Sequence, residues 1–425
     1  MKKIRMVVML VIAVTGILAS ALATNPLVTD FRIPSVGIIT INVLAESGSV
    51  EHIQAAVDRA IRVGAINVTI PEGNFPFSAS GSFRVNFNVP AQGLNIFGAG
   101  TDRTLLDMPD EDTTPQTTMF RINGLNGGRI RISGITFKGR NASGSETGDI
   151  AVQFVSCKDF RIDHCSFYYM GGAGVSAQDH DTQYGIVGGD PNRVSQGVVD
   201  HCYFYDIYKA GATQAGTGYG YGVAISRAMN YLWTPWDDNL WNLLGKYDKN
   251  VFIEDCYFWH CRHAVTGNFG AVYVLRNSII EDITGSGNAQ ITGHPVRKDA
   301  YGMRAWEIYN NTFRWTGIGA KPWGIHMEGG SGVVYNNTIQ NTYYVYQFGS
   351  CEYSGNPFYP KGNLADMYVW NNIESGYVAR IYWIDNTGVG GDPAPVENVN
   401  YFLRAPLGSE GNYTPYIYPH PLTLG

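Results

Sequence analysis

Charge is scarce in this chain. Only 16% of its 425 residues are Asp, Glu, Lys or Arg, and the formal net charge is −6. No basic footprint exists for a phosphate backbone, which argues against a nucleic-acid partner. Long apolar runs are missing beyond the first two dozen residues, so no later segment is expected to span a bilayer. The six cysteines contain no C-x-x-C pair, which removes the commonest zinc spacing. Glycine and tyrosine, by contrast, are abundant at 51 and 27 copies, as in a turn-rich β chain.

The one apolar run, Met6 to Leu18, follows Lys2, Lys3 and Arg5 and precedes the small-residue exit Ala21-Leu22-Ala23. This is the pattern of a signal peptide over residues 1–23, cleaved after Ala23. The mature chain is therefore expected to be secreted or held at the cell surface, with no membrane span.

Seven short segments share one pattern. They include Ile162-Asp163-His164-Cys165-Ser166-Phe167, Val199-Asp200-His201-Cys202-Tyr203-Phe204, Ile308-Tyr309-Asn310-Asn311-Thr312-Phe313 and Val334-Tyr335-Asn336-Asn337-Thr338-Ile339. The repeated Cys or Asn falls at 165, 202, 256, 277, 311, 337 and 372, and the shortest step is 21 residues. Such spacing implies a solenoid, one coil per repeat with loops inserted between strands. Each copy reads as strand-like. The Cys/Asn position is expected to stack, buried, on its equivalent in the next coil. Cys165, Cys202 and Cys256 then behave as small apolar residues and stay free thiols. A second strand follows each turn, as in His263-Ala264-Val265-Thr266 and Gly324-Ile325-His326-Met327.

Apolar residues at Ile53, Ala56, Val57, Ala60 and Ile61 predict one amphipathic helix near 49–64, ended by Gly64. A solenoid needs its open end covered, and this helix is placed to do so. Residues 392–425, rich in Pro and Tyr, are expected to pack as a tail on the last coils.

The helix Ile53-Gln54-Ala55-Ala56-Val57, the segment Gly98-Ala99-Gly100 before an early strand, and the Asn-Asn-Thr turns at 310–312 and 336–338 resemble the pectate-lyase-like superfamily. The likeness covers roughly residues 48 to 385. It implies an all-β fold, a single-stranded right-handed parallel β-helix over residues 24–391. It also implies a polysaccharide partner, through a range that includes lyases, hydrolases, epimerases and non-catalytic surface proteins. The paired-Asp signature of the pectin hydrolases is absent, as is the Arg-x-Pro-x-x-Arg pattern of pectate lyases.

A lyase acting on a uronic-acid glycan needs a cation for the carboxylate, a base for the C5 proton and a donor for the leaving oxygen. Arg262 and His263 open one second strand; His294, Arg297 and Lys298 lie one coil on, and His326 and Glu328 on the next. His263 or His294 is the expected base, with Arg262 or Arg297 as the carboxylate clamp. Against this stands the bland reading that Arg262 pairs with a nearby acid and His294 caps a turn. Lys298, His326 and Glu328 are expected to bind substrate. Tyr219, Tyr221, Trp233, Trp236 and Trp241 sit in one long insertion and form either a sugar-stacking platform or a small core of their own. Asp179 and Asp181 flank His180 and are candidate Ca²⁺ ligands, or a solvated turn. Glu307, alternating on a strand, is expected to face solvent. The leading reading is a secreted lyase of an acidic glycan; the alternative is a non-catalytic carbohydrate-binding β-helix.

Overall fold

The computed structural model describes residues 41–424 apart from 79–82, 110–116, 126, 141–148, 180–193, 208–219, 227–238, 249, 269, 283–288, 295–301, 318–320, 350–363 and 384–394. The described strands form three parallel sheets, of twelve, ten and ten strands. Successive strands of the chain visit the first, second and third sheet in turn, and each pairs with its equivalent one coil away. Phe160–Asp163 pairs with Gly197–Asp200 in the first sheet, Ser166–Tyr168 with Tyr203–Tyr205 in the second, and Ala173–Gln178 with Tyr221–Ser226 in the third. This is the solenoid that the repeats imply, in the form of the right-handed parallel β-helix that the resemblance implies.

Each coil has three strands where the repeats suggested two. The six-residue motif is not one strand: it turns a corner. Asp163 ends a strand of the first sheet, and Ser166 begins one of the second. The bend lies at the residue before the Cys/Asn position. His164, His201, Asp255, Asn277, Asn310, Asn336 and Asn371 all have φ between 49° and 58°. Asn and Asp tolerate this left-handed conformation better than other side-chain-bearing residues.

That column corrects one register. Asn277 is a corner residue, and Ser278 occupies the interior position in its coil. The interior ladder therefore runs Cys165, Cys202, Cys256, Ser278, Asn311, Asn337, Asn372. Its amides are connected from coil to coil: Ser278 N–H donates to Asn311 Oδ1 (2.9 Å), Asn311 N–H to Asn337 Oδ1 (3.0 Å) and Asn337 N–H to Asn372 Oδ1 (2.9 Å). Their side-chain nitrogens donate to the carbonyls of Leu275, Ile308 and Val334. The five described cysteines are free and buried. Cys256 and Cys261 both enter the interior, at different corners.

The core between the sheets is layered. Phe137, Phe167, Phe204 and Phe258 stack at centroid distances of 5.5, 4.7 and 4.6 Å. The helix α1 spans Val50–Val63 and buries Val50, Ile53, Ala56, Val57 and Ala60. Ser49 accepts from His52 N–H at its start, and Gly64, at φ 70°, ends it. It packs on strands Asn42–Leu44, Asn67–Thr69 and Phe83–Asn88 at the beginning of the stack.

A second apolar cluster lies outside the coils, against the outer face of the first sheet. Leu240, Leu243 and Leu244 and the C-terminal tail build it. Arg276 donates to the carbonyls of Tyr416 and Ile417, His420 N–H donates to Glu254, and Arg129 donates to the Leu422 carbonyl. The tail thus runs back past the last coils to an early one. Glu307 is buried beneath it at 1% exposure rather than in solvent. Its carboxylate accepts from Tyr413 OH (2.6 Å) and Gly245 N–H (2.7 Å). Trp241 belongs to the same cluster, against Tyr368.

Candidate functional site

Strand alternation divides the third sheet. Val265, Ile291 and Ile325 point into the core, while Thr266, Thr292, His326 and Gln347 share one outward row in register. The residues just past these strands are also stacked. His294 N–H donates to Gly267 O and Glu328 N–H to Gly293 O, which carries the parallel ladder two residues beyond the row.

These two rows bring three ionisable groups together. Glu328 Oε1 lies 3.3 Å from His326 Nε2, and Glu328 Oε2 lies 3.8 Å from His294 Nδ1. The first contact is close enough for an ion pair, yet the angles are not those of a hydrogen bond. All three side chains are mostly covered, at 11–19% exposure. Gly349 follows in the same column, and a Cβ there would lie 3.0 Å from Glu328 Cγ. Glycine at this place keeps room for the carboxylate. One carboxylate between two imidazoles can pass a proton among three neighbouring sites.

His263 does not join this cluster. It is buried, stacks beside Tyr221 at 5.8 Å, and its Nδ1 lies 2.6 Å from the Ala289 carbonyl. That contact assigns the proton to Nδ1. Burial, then the neighbouring Arg262, pushes its pKa well below the ordinary value, so the ring is neutral. Arg262 donates to Tyr221 OH (3.3 Å) and lies over that ring. Arg262, His263 and Tyr221 thus form one group, two coils from His326. Arg297, Lys298, Tyr219, Trp233, Trp236 and Asp181 lie outside the described residues. Asp179 is buried, and its carboxylate accepts from Ser195 N–H at 2.6 Å. Among the described residues no group of three or more His, Cys, Asp or Glu side chains is placed to hold a metal.

Residues overlooked in the sequence stand beside the cluster. Gln347 is the in-register neighbour of His326, and Tyr382 is the neighbour of Gln347. Trp323 sets its ring at 89° to that of His326, and Tyr344 stacks on Tyr382 at 4.3 Å. Alternation finds Gln347, at the same outward place in Tyr344–Phe348 as His326 in Trp323–Met327, whereas Trp323 and Tyr344 share the parity of the buried Ile325 and Tyr346 and are not announced by it. None of the ten described strands of the third sheet contains Asp or Glu.

No family model matches this chain, and no curated protein matches it. Solved structures do. An alginate lyase from a Paenibacillus species is similar at 14% identity and a TM-score of 0.48, over 80% of this chain and 98% of that one. A mannuronan C-5 epimerase A-module from Azotobacter vinelandii is similar at 13% identity and a TM-score of 0.39, over 81% of this chain and 95% of that one. The tailspike of Escherichia coli bacteriophage HK620 is similar at 12% identity and a TM-score of 0.47, over 79% of this chain and 54% of that one. At these values the likeness carries no argument about activity.

Proposed function

We propose that this chain is an exported polysaccharide-active protein that cleaves an acidic glycan by β-elimination on the outer face of its third sheet. One observation carries the reading: Glu328, His326 and His294 converge on neighbouring coils. An imidazole held near a carboxylate is suited to act as a general base. His326 or His294 takes the C5 proton of a uronate residue. The C5–H electrons form the C4–C5 double bond, the C4–O glycosidic bond breaks, and the departing oxygen takes up the proton that the imidazolium carries. Glu328 stabilises the imidazolium. Arg262, Arg297 and Lys298 supply the positive charge that the sugar carboxylate needs.

The lack of acidic residues in the third-sheet strands supports elimination over hydrolysis. A hydrolase requires two carboxyl groups roughly 5 to 10 Å apart, and the ten described strands of this sheet contain no Asp or Glu.

The test is a panel of acidic and neutral polysaccharides, read by absorbance of unsaturated uronates and by reducing ends. Both signals should rise together on an acidic glycan. His326→Ala and Glu328→Gln should each lower the rate by about 10²–10⁴-fold while far-ultraviolet circular dichroism is unchanged. His263→Ala should act more mildly. Reducing ends without unsaturation would refute elimination. Retention of a glycan without products would instead select the non-catalytic binding reading, which Trp323, Tyr343, Tyr344 and Tyr382 on the same face favour.

A further inference from the structure

Gln347 is 1% exposed, and neither its amide oxygen nor its amide nitrogen has a hydrogen-bond partner. It lies in the outward row next to His326, whose Nε2 is also buried without a hydrogen bond. Leaving both ends of a buried amide unpaired is costly, so such a group in a native fold calls for an explanation. Tyr346 and Phe348, which flank it, pack into the core, whereas this amide points the other way, onto the face that carries Glu328.

The chemistry of the amide narrows what it can receive. Gln347 offers one acceptor and one donor pair at adjacent atoms. A carboxylate only accepts, and would leave Oε1 unpaired. Two neighbouring hydroxyls can donate to Oε1 and accept from Nε2 together. Trp323 and Tyr382 border the place with aromatic surface, against which the C–H face of a pyranose can pack.

We propose that Gln347, with His326 beside it, forms a glycan subsite that reads a vicinal diol on the sugar next to the reacting one. This rests on the glycan reading above but not on elimination. The substrate would be a polymer whose bound residue has two free adjacent hydroxyls, and substitution there should block binding.

Binding is measured by calorimetry on the full chain. The probes are alginate, polygalacturonate, xylan and dextran, each native and after periodate oxidation, which cleaves vicinal diols. At least one native polymer should bind, and its oxidised form should bind at least tenfold more weakly. Gln347→Leu should weaken binding of the native form by about tenfold or more without lowering the melting temperature, since it removes an unpaired buried amide. Gln347→Glu keeps the shape but replaces the donor, and should lose affinity similarly; it decides the matter if the Leu variant fails to fold. Binding unaffected by both variants, binding that survives oxidation, or no binding to any native polymer would overturn the subsite. Diol-dependent binding without unsaturated products would leave the subsite standing and sink elimination alone.

Discussion

Asn310 and Asn311 are adjacent and chemically identical, yet the fold uses them for different purposes. Asn310 is exposed and supplies a corner at φ 58°. Asn311 is 2% exposed; its side chain donates to Leu275 O and Asn337 Oδ1 and accepts from Ser278 N–H. Removing it strands buried partners, each at a cost of about 1–3 kcal/mol. Asn310→Ala meets only the left-handed backbone, roughly 1 kcal/mol, and Asn310→Gly should be nearly neutral. Chemical denaturation of the three variants checks this. A larger loss for Asn310→Ala than for Asn311→Ala would mean the ladder is not where the coils are joined.

At the scale of an element, the strands of the third sheet are shaped by what lies across the core. A Cβ on Gly222 would lie 2.6 Å from the Ala264 carbonyl oxygen and 2.6 Å from the Phe258 ring. Gly174 meets the Phe204 ring in the same way. These glycines let the third sheet close over the stacked phenylalanines of the second. Gly222→Ala should overpack this layer and destabilise by about 1–3 kcal/mol, whereas Phe258→Leu together with Gly222→Ala should recover part of the loss. Melting temperatures of the single and double variants measure the coupling. Additive losses would place the strain elsewhere.

Across the whole molecule, the C-terminal tail converts the outer face of the first sheet from surface into core, and Glu307 is where this becomes sensitive to pH. Burial pushes its carboxyl up to about 7, with Tyr413 OH and Gly245 N–H offsetting part of that. Below the ordinary value of 4.5 the group is protonated whether folded or unfolded. Between there and about 7 the unfolded chain ionises first, so stability falls as pH rises, by at most roughly 3 kcal/mol. Above that window both states are charged and the loss is complete. Glu307→Gln should remove this dependence, so the variant should gain on the natural chain between pH 5 and 8. Parallel denaturation curves at the two pH values test it; an equal difference at both would show that Glu307 does not titrate beneath the tail.

Periodicity determined the architecture. Repeats recur because every coil must present the same residue type at the same corner, so Cys165, Asn311 and Asn337 announced stacked interior positions. The helix at 50–63 was legible for the same reason, since its apolar spacing is local. The one slipped register, Asn277 for Ser278, arose because Asn serves both the corner and the ladder, and only pairing with Asp255 and Asn310 distinguishes the two uses. The site was legible in part. His294, His326 and Glu328 stood out as ionisable residues on successive coils, but His263 looked no different, and its place at the start of a strand two coils from His326, turned toward the Ala289 carbonyl, removes it from the cluster. Gln347 is an ordinary glutamine in the sequence; its neighbours come from other coils, so its unpaired amide exists only in three dimensions. Glu307 and the tail that covers it are 106 residues apart. No local pattern encodes such a contact, because burial there depends on where a distant segment returns, and that is decided by tertiary packing alone.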